Sequence, residues 1–399
     1  MPSPAASRAA ARVAGTGQTI FAEMSALAVR TGSVNLGQGF PDTDGPPALL
    51  DAAAHALHHG ANQYAPGIGI PALRQAIARH QERRYGIVLD PDTQVAVTTG
   101  CTEAIAGALL GLVDPGDEVV VLEPYYDSYT AMIDYAGGVR RPVTLRAPDF
   151  RLDPDELAAA VTDRTKLILL NTPHNPTGRV LDETELAAVA RVARERDLLV
   201  VTDEVYEHLT FDGRRHVPLA TLPGMAERTL TLSSAGKSWS VTGWKIGWAT
   251  GPADLVAAVV GAKQWLTFTS GSPLQPAVAA ALDAGDDFPA ALAGDLQAQR
   301  DQLVAGLRAA GLTTYVPEGT YFATTDVGAL GWASGGDFCR ALPERAGVVA
   351  IPSEVFYDDP DAPGAGRHLV RWAFCKRPDV IAEAVRRLAA ADLTAPGTR

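Results

Sequence analysis

The sequence predicts an α/β fold with a largely parallel sheet between helices, followed by a smaller α+β domain. Two observations predict it. Short β-rich runs alternate with helical stretches through the middle of the chain, and several runs are almost continuously apolar, as strands covered on both faces are. After about residue 285 the pattern changes to a long helical run and short strands. We therefore place a large domain at residues 46–285 and a small domain at 1–45 and 286–399.

Two helices are predicted ahead of the first strand. Pro47 and Pro71 open helical stretches at residues 48–59 and 72–85, in the first-turn position that tolerates proline. Residues 1–22 contain two arginines and no acidic residue, and they lack an apolar core of signal-peptide length. We interpret this segment as a frayed terminus.

The strands and later helices follow in order. Helical patterns at 103–113 and 183–196 lie between β-rich runs of the large domain, which we place at 93–98, 117–122, 166–170, 198–202 and 228–232. In the small domain, helices at 288–310 and 378–391 flank four short strands, at 313–316, 321–327, 347–351 and 368–374.

The composition excludes several classes of protein. The 399 residues are 47% hydrophobic and 20% charged, which is typical of a folded globular chain. A formal charge of −12 without a Lys/Arg cluster argues against a nucleic-acid partner, and no apolar run is long enough to predict a membrane helix. Three cysteines without paired spacing favour a reducing cytoplasm. His55, His58 and His59 lack a carboxylate partner, so no metal site is predicted.

Two nucleotide-binding motifs lack their required context. Gly236-Lys237-Ser238 resembles the end of a P-loop, but Thr231 stands where that motif needs glycine. Residues 67–72 fit G-x-G-x-x-A, but they follow a polar, proline-containing segment and not an apolar strand. We therefore expect neither a P-loop nor a dinucleotide site.

Polar residues follow five of the predicted strands at their carboxyl ends, where parallel α/β sheets gather their ligands. Residues 100–102 open a helix whose N–H groups are suited to hold a phosphate. Tyr125 and Tyr126 offer ring faces, one of which could stack on a flat ring, and Asn175 lies in a rigid Pro/Gly turn. Asp203 ends an apolar strand, where a buried carboxylate needs a cation or hydrogen bonds. Each signal taken alone is also explained by ordinary packing or turn structure.

The fifth strand is followed by a lysine-containing segment. Only five lysines occur in the chain, and Lys237 and Lys245 lie here among glycines, serines and three tryptophans. A snug, partly apolar site lowers the pKa of an amine. A lysine of lowered pKa is a nucleophile for aldehydes, which makes Lys237 and Lys245 candidates for covalent chemistry.

Four motifs together carry a resemblance: Asn175-Pro176-Thr177-Gly178, Asp203-x-x-Tyr206, Ser234-x-x-Lys237 followed by Lys245, and Arg371. In order and separation they resemble class I aminotransferases of the fold-type I pyridoxal 5'-phosphate (PLP) enzymes. The resemblance covers nearly the whole chain and implies a mainly parallel seven-stranded sheet in the large domain. The segments at 34–42, 62–69, 203–213 and 242–248 are most similar to the branch that holds kynurenine/glutamine, methionine and N-succinyldiaminopimelate aminotransferases.

The resemblance implies PLP as the cofactor. Lys237 would bind it covalently and shuttle a proton at the substrate Cα. Asp203 would keep the pyridine nitrogen protonated. Asn175 and Tyr206 would hydrogen-bond the phenolic oxygen of the ring, and Tyr126 would stack on its face. The phosphate would be bound by Gly100, Cys101, Thr102, Ser234 and Lys245.

The resemblance also implies how substrate and a second subunit are engaged. Arg371 would bind the substrate α-carboxylate with its two-pronged guanidinium, supported by Gly39 and Asn175. Tyr64 would reach the phosphate of a second subunit, so a homodimer with shared active sites is expected.

The leading functional interpretation is amino-group transfer between an L-amino acid and a 2-oxo acid, with 2-oxoglutarate and glutamate as one pair. N-succinyldiaminopimelate, from lysine biosynthesis, is the expected substrate. Glutamine, kynurenine, methionine and aromatic amino acids are alternatives, and they would favour an apolar pocket of Tyr125, Trp239, Phe268 and Tyr321. A PLP-dependent C–S β-lyase on the same scaffold is not excluded. A cofactor-binding regulator is disfavoured, because the roughly 40 residues ahead of the match are too little basic to bind DNA.

Overall fold

The computed structural model describes residues 10–14 and 19–397. Its helices are α1 Ala11–Ala14, α2 Ile20–Thr31, α3 Pro47–His58, α4 Pro71–Tyr85, α5 Gly100–Leu112, α6 Asp127–Ala136, α7 Pro154–Ala160, α8 Glu183–Glu195, α9 Ala235–Ser238, α10 Ala253–Lys263, α11 Gln275–Asp283, α12 Asp287–Ala309, α13 Gly335–Ala346 and α14 Pro378–Ala389. Its strands are β1 Val34–Asn35, β2 Val95–Thr99, β3 Glu118–Glu123, β4 Val139–Thr144, β5 Thr165–Asn171, β6 Leu199–Asp203, β7 Thr229–Ser234, β8 Ile246–Thr250, β9 Thr313–Tyr315, β10 Phe322–Asp326, β11 Val348–Val349, β12 Ile351–Pro352 and β13 Leu369–Ala373.

The large sheet has seven strands in the order β2-β8-β7-β6-β5-β3-β4. β3 pairs in parallel with β4 and β5, and β6 pairs in parallel with β5 and β7. β8 lies antiparallel to β7 and to β2. Six strands therefore run in one direction and end at the same edge of the sheet, which confirms the predicted mainly parallel α/β sheet.

Helices cover both faces of this sheet. Val119 and Val121 of β3 pack in one hydrophobic cluster with α5 and α10, whereas Val120 and Leu122 pack in a second cluster with α7 and α8. Successive strand residues point to opposite faces, so an almost continuous apolar run is what a two-sided core requires. The carboxyl edge of the sheet is therefore held between two packed layers.

Two smaller sheets lie in the C-terminal part of the chain. One has four antiparallel strands in the order β12-β13-β10-β9. The other is the parallel pair of β1 and β11, in which Val34 lies opposite Val348. The N-terminal segment is therefore attached to the C-terminal part of the chain. Among the described residues, no helix is both long and apolar enough to span a membrane.

The structure adds two strands to those predicted in the large sheet. β4 carries Arg140, Arg141 and Pro142, which are typical of an edge strand and interrupt any apolar run. β8 lies within the lysine- and tryptophan-containing segment, which was interpreted only as a site. β4 was missed because it lacks an apolar run, and β8 was missed because the segment was interpreted for its lysines and tryptophans.

Two further expectations need correction. α2 begins at Ile20, within the segment interpreted as frayed, because Thr19 caps it with a side-chain hydrogen bond. Residues 1–9 and 15–18 of that segment lie outside the described residues. The single strand predicted at 347–351 is two short strands, β11 and β12, which pair with different partners.

Candidate active site

A cavity of about 310 Å³ lies at the carboxyl edge of the large sheet. The ends of β2, β3, β5, β6 and β7 all contribute to its wall, as expected for a parallel α/β sheet. The structure brings together every predicted site residue except Tyr64, namely Gly39, Gly100, Cys101, Thr102, Tyr126, Asn175, Asp203, Tyr206, Ser234, Lys237, Lys245 and Arg371.

Lys237 lies on the one-turn helix α9, directly after β7. Its Nζ donates a hydrogen bond to the Tyr321 hydroxyl at 2.6 Å, and that hydroxyl donates to the Gly39 carbonyl oxygen at 2.5 Å. Burial lowers the pKa of Lys237 to about 8. Near neutral pH this amine is deprotonated more often than an ordinary lysine, so it is suited to attack an aldehyde.

Asp203 is buried at the end of β6. Its Oδ2 accepts a hydrogen bond from the Tyr129 hydroxyl at 2.7 Å, and its Oδ1 accepts one from the Val205 N–H at 3.2 Å. Burial raises the pKa of Asp203, and both hydrogen bonds oppose the rise. The carboxylate is thus held in one orientation, and no protein cation among the described residues forms an ion pair with it. It is therefore suited to pair with a positively charged ring nitrogen of a bound molecule.

Asn171 and Asn175 connect the end of β5 with β6 and with β13 of the four-stranded sheet. Asn171 Nδ2 donates to the Asp203 carbonyl oxygen at 2.8 Å, and Asn171 Oδ1 accepts from the Asn175 N–H at 2.7 Å. Asn175 Oδ1 in turn accepts from Arg371 Nη1 at 3.1 Å. Because its oxygen faces Arg371, the amide nitrogen of Asn175 is the group that remains to donate to a bound molecule.

Arg371 of β13 is a buried cation between aromatic rings. Its guanidinium lies 4.0 Å from the ring centroid of Phe322 and 5.1 Å from that of Phe21. Nη2 donates to the Gly37 carbonyl oxygen at 3.1 Å, but the buried Nε has no partner within the described residues. Burial lowers the pKa of Arg371 to about 10. A buried guanidinium with a donor to spare is suited to a substrate carboxylate.

Close backbone contacts form a cradle where α5 begins. Gly100 has φ of +68°, and a Cβ there would lie 3.1 Å from Lys245 Cε, while a Cβ on Gly247 would lie 2.5 Å from the Gly100 carbonyl carbon. Lys245 Nζ donates to Thr102 Oγ1 at 3.3 Å. Thr99, at the N-cap of α5, makes no capping side-chain hydrogen bond. A lysine beside the uncapped N-terminus of a 13-residue helix is a suitable site for a phosphate.

Tyr64 lies outside the cavity. Its side chain is 84% exposed, and its ring packs edge-on against Phe268 with 5.5 Å between centroids. Within a single chain it contacts none of the residues of the phosphate cradle that the sequence predicts it to join. Its role across a subunit boundary therefore stays a prediction.

The apolar pocket suggested for alternative substrates is wrong within this chain. Tyr125 is buried and donates to Asp358 at 2.6 Å, and Trp239 packs edge-on against His208. Phe268 is half exposed beside Tyr64. Tyr321 is buried behind the cavity wall, where its hydroxyl contacts Lys237 and Gly39.

Several residues of the site were missed by sequence reasoning. Asn171 comes directly after a predicted strand, and Tyr129 lies one helical turn beyond Tyr126, so both carried a positional signal. Phe21 and Phe322 carried none. Phe21 reaches Arg371 by packing between distant segments, and Phe322 reaches it because β10 pairs with β13, a pairing that the strand sequences do not indicate.

These groups define an enzyme of a particular class. A buried amine of lowered pKa, an uncompensated carboxylate, a phosphate cradle and an aromatic face fit a flat, phosphorylated aldehyde cofactor with a protonated ring nitrogen. Arg371 adds a place for a carboxylate. The site is thus suited to cofactor chemistry on amino acids or oxo acids.

Comparison with known proteins identifies the family. The chain belongs to the class I and II aminotransferases, whose family model matches residues 31–388. The probable N-succinyldiaminopimelate aminotransferase of Mycobacterium tuberculosis is 54% identical over 382 residues, which cover 93% of this chain and 95% of the relative. Methionine aminotransferase of Escherichia coli is 41% identical over 372 residues, with coverages of 93% and 95%.

The fold agrees with a solved structure of the same family. The structure of N-succinyldiaminopimelate aminotransferase from Mycobacterium tuberculosis matches with a TM-score of 0.93 at 54% identity, over 96% of this chain and 99% of that chain. The chain is therefore a PLP-dependent aminotransferase, and its substrates are small amino acids and 2-oxo acids. The predicted fold type and enzyme class are both confirmed.

Proposed function

We propose that this aminotransferase acts on N-succinyldiaminopimelate, with glutamate and 2-oxoglutarate as the other pair. The observation that carries the proposal is the 54% identity, over 93% of the chain, to the Mycobacterium tuberculosis protein of that probable activity. The methionine aminotransferase is less similar, at 41% identity. A difference of this size over equal coverage favours the succinylated substrate.

In this proposal the carboxyl edge of the large sheet holds PLP. When bound, the cofactor supplies an electron sink for the bond broken at the substrate Cα. Lys237 binds the cofactor aldehyde, and its freed Nζ then takes and returns the Cα proton. Asp203 keeps the ring nitrogen protonated, and the Tyr129 hydroxyl fixes the carboxylate in that orientation.

The other residues of the cavity would contact either the ring or the phosphate of the cofactor. Tyr206 and the Asn175 amide would donate to the phenolic oxygen of the ring, and Tyr126 would cover one ring face. Gly100, Cys101, Thr102, Ser234 and Lys245 would hold the phosphate at the N-terminus of α5.

Substrate recognition begins at Arg371, which binds the α-carboxylate beside Gly39 and Asn175. Lys237, Lys245 and Arg371 are the cations among the described residues that line the cavity. In this proposal the first two serve the cofactor. The further carboxylates of a succinylated substrate then need donors from backbone groups or from a second subunit.

A homodimer with shared sites is part of the same proposal. Tyr64 and Phe268 form an apolar surface whose members are 84% and 49% exposed, and Trp265, three residues before Phe268, is 83% exposed. A two-fold dimer would cover this surface and bring Tyr64 to the partner's phosphate cradle. Mixed Tyr64→Ala and Lys237→Ala chains should regain activity, provided that each change alone inactivates. No recovery after verified subunit exchange would contradict shared sites.

Two further proposals concern the domain division of the chain and its location in the cell. The division into a large domain at 46–285 and a small domain at 1–45 and 286–399 is supported by the separate sheets.

A reducing cytoplasm as the location is supported by Cys101, Cys339 and Cys375, which are buried and unpaired.

The test of substrate is a comparison of kcat/KM. Purified enzyme is assayed with N-succinyldiaminopimelate, glutamine, methionine and kynurenine against 2-oxoglutarate, at about 0.05 M and about 0.5 M salt. We expect the highest kcat/KM for the succinylated substrate, with a clear loss at high salt because its binding depends on charge. A higher value for glutamine or methionine contradicts the proposal. Release of pyruvate without any 2-oxo acid would indicate the β-lyase instead.

A further inference from the structure

A buried polar cluster lies beside the turn that carries Lys237. It consists of His80 on α4 and of Glu207 and His208, which follow β6, and these residues are 0%, 2% and 5% exposed. None of them lines the active-site cavity. Polar groups are costly to bury, and apolar residues would fill the same space at lower cost. The cluster therefore needs an explanation other than packing.

The contacts of the cluster converge on the segment that contains Lys237. The Ser233 hydroxyl donates to Glu207 Oε1 at 2.6 Å, and Ser238 Oγ lies 2.8 Å from His208 Nδ1. Two neighbouring residues thus hold both sides of the segment 234–237. This segment is one strand end and one helical turn, and α9 has no side-chain cap of its own.

The other side of the cluster is attached to the 15-residue helix α4. His80 Nε2 lies 3.1 Å from His208 Nε2, and the Tyr85 hydroxyl donates to Glu207 Oε2 at 2.7 Å. Burial lowers the pKa of His80, and it lowers that of His208 to about 3, so burial favours the neutral form of both imidazoles. A neutral imidazole has one N–H and one acceptor nitrogen, so His208 bridges α4 and Ser238 in either tautomer.

The same three side chains resemble a metal site, because one ligand atom from each lies within 4.8 Å of the others. Their described contacts argue for a hydrogen-bond network instead. Both oxygens of Glu207 accept from hydroxyl groups, and both ring nitrogens of His208 have partners. The charged groups Arg84 and Asp286, next to the cluster, pair with each other at 2.8 Å.

We infer that Glu207 and His208 are positioning residues for Lys237. They fix the segment 234–237 to α4, so that the amine keeps its place relative to Asp203 when it is attached to the cofactor and when it is free. Asp203 and the two positioning residues belong to one short stretch after β6, so the cluster couples the ring-nitrogen contact to the lysine. The inference rests on the proposed role of Lys237 in binding PLP.

The test uses variants that separate the two sides of His208. Ser238→Ala removes the contact with the Lys237 turn. His208→Asn keeps an amide where Nδ1 lies, and His208→Gln keeps one where Nε2 lies. Ser240→Ala is the matched control, because it removes a hydroxyl in the same loop that donates to Thr43 and not to the cluster.

The main measurement is the pH titration of the visible absorption of the holoenzyme without substrate, since this spectrum reports on the lysine bound to the cofactor. We expect a shift of about half a pH unit in Ser238→Ala and His208→Gln. We also expect about a tenfold fall in kcat with KM little changed, because a displaced amine transfers protons more slowly. His208→Asn keeps the contact with Ser238 but loses the one with His80, so its shift should be smaller than that of His208→Gln. Ser240→Ala should remain close to the unaltered enzyme.

Three outcomes overturn the inference. The first is a lower melting temperature in Ser238→Ala with an unchanged titration, which would make the cluster a matter of stability alone. The second is one zinc ion per chain that survives a chelator. The third is the absence of a visible band in the unaltered protein, which would also remove the proposed role of Lys237. A wrong substrate assignment alone would leave the titration intact, so the two failures are distinguishable.

Discussion

The two walls of the active-site cavity are built in different ways. The sheet wall consists of residues 100–102, Tyr126, Asn175, Asp203 and Lys237, each of which follows a strand of one sheet. The aromatic wall consists of Phe21, Gly39, Phe322 and Arg371, which come from the N-terminal segment and from β10 and β13. Hydrogen bonds between strands fix the spacing within the first wall. In the second wall, strand pairing joins Phe322 of β10 to Arg371 of β13, whereas tertiary packing alone brings Phe21 and Gly39 to them.

This structural difference corresponds to a difference in the groups that the two walls supply. The sheet wall places an amine and a carboxylate whose pKa values are displaced in opposite directions by burial, downward for Lys237 and upward for Asp203. The aromatic wall holds one guanidinium against the rings of Phe21 and Phe322, with a third ring, that of Phe356, at 5.2 Å and one N–H donor without a partner among the described residues. We therefore expect changes in the sheet wall to alter the chemical step and changes in the aromatic wall to alter substrate binding.

The largest expected effect is in the sheet wall. Lys237→Ala should lower kcat at least about 10⁴-fold, because both the attachment of the cofactor and the proton transfer depend on one amine. Steady-state kinetics with glutamate and 2-oxoglutarate measures the loss. Lys166→Ala, at an exposed position, is the control and should retain full activity. Residual activity within about a hundredfold of the unaltered enzyme would contradict the assignment.

Asp203→Asn should lower kcat about 10²- to 10⁴-fold while PLP stays bound, because an amide cannot keep the ring nitrogen protonated. Cofactor content and kcat are measured on the same sample. Asp197→Asn, at an exposed position just before β6, should change neither. Near-normal turnover in Asp203→Asn would remove this carboxylate from the mechanism.

Arg371→Lys probes the aromatic wall. We expect kcat/KM for the amino acid to fall about 10- to 100-fold, mainly through KM, because an ammonium cannot bind a carboxylate with two parallel hydrogen bonds. The absorption spectrum of the bound cofactor should be unchanged. Arg367→Lys, on the exposed loop before β13, is the control. A fall in kcat with constant KM would show that the two walls are not functionally separate.

Sequence reasoning succeeded where a rule is local. The position just after a parallel strand made Asn175, Asp203 and Lys237 candidates, because such positions share one sheet edge. The choice of Lys237 over Lys245 came from the resemblance to a family. Arg371 and Gly39 came only from the resemblance to a family, since nothing in their neighbourhood indicates that β13 approaches the N-terminal segment. Phe21 was missed for the same physical reason, and Phe322 was missed because the pairing of β10 with β13 cannot be inferred from either strand alone.

The smallest expected effect concerns stability in acid. Burial lowers the pKa of His174 and of His208 to about 3, against an unfolded value near 6.5. Between these values the unfolded chain binds protons that the native chain does not, so stability falls as pH falls below about 6.5. Each histidine adds up to about 1.4 kcal/mol per pH unit.

His174→Gln should therefore reduce the drop in melting temperature between about pH 7 and about pH 5. The melting temperature of the holoenzyme is measured by thermal unfolding at both pH values. His55→Gln, at an exposed position, should leave the drop unchanged. An identical pH dependence in His174→Gln and the unaltered protein would contradict the neutral, buried state of this imidazole.

The central claim is that the sheet wall holds the cofactor through Lys237. The most direct measurement is borohydride reduction of the holoenzyme, followed by proteolysis and mass spectrometry of the labelled peptide. The account predicts one cofactor per chain, attached to Lys237 alone among the five lysines. A label on Lys245, or on any other lysine, would contradict it.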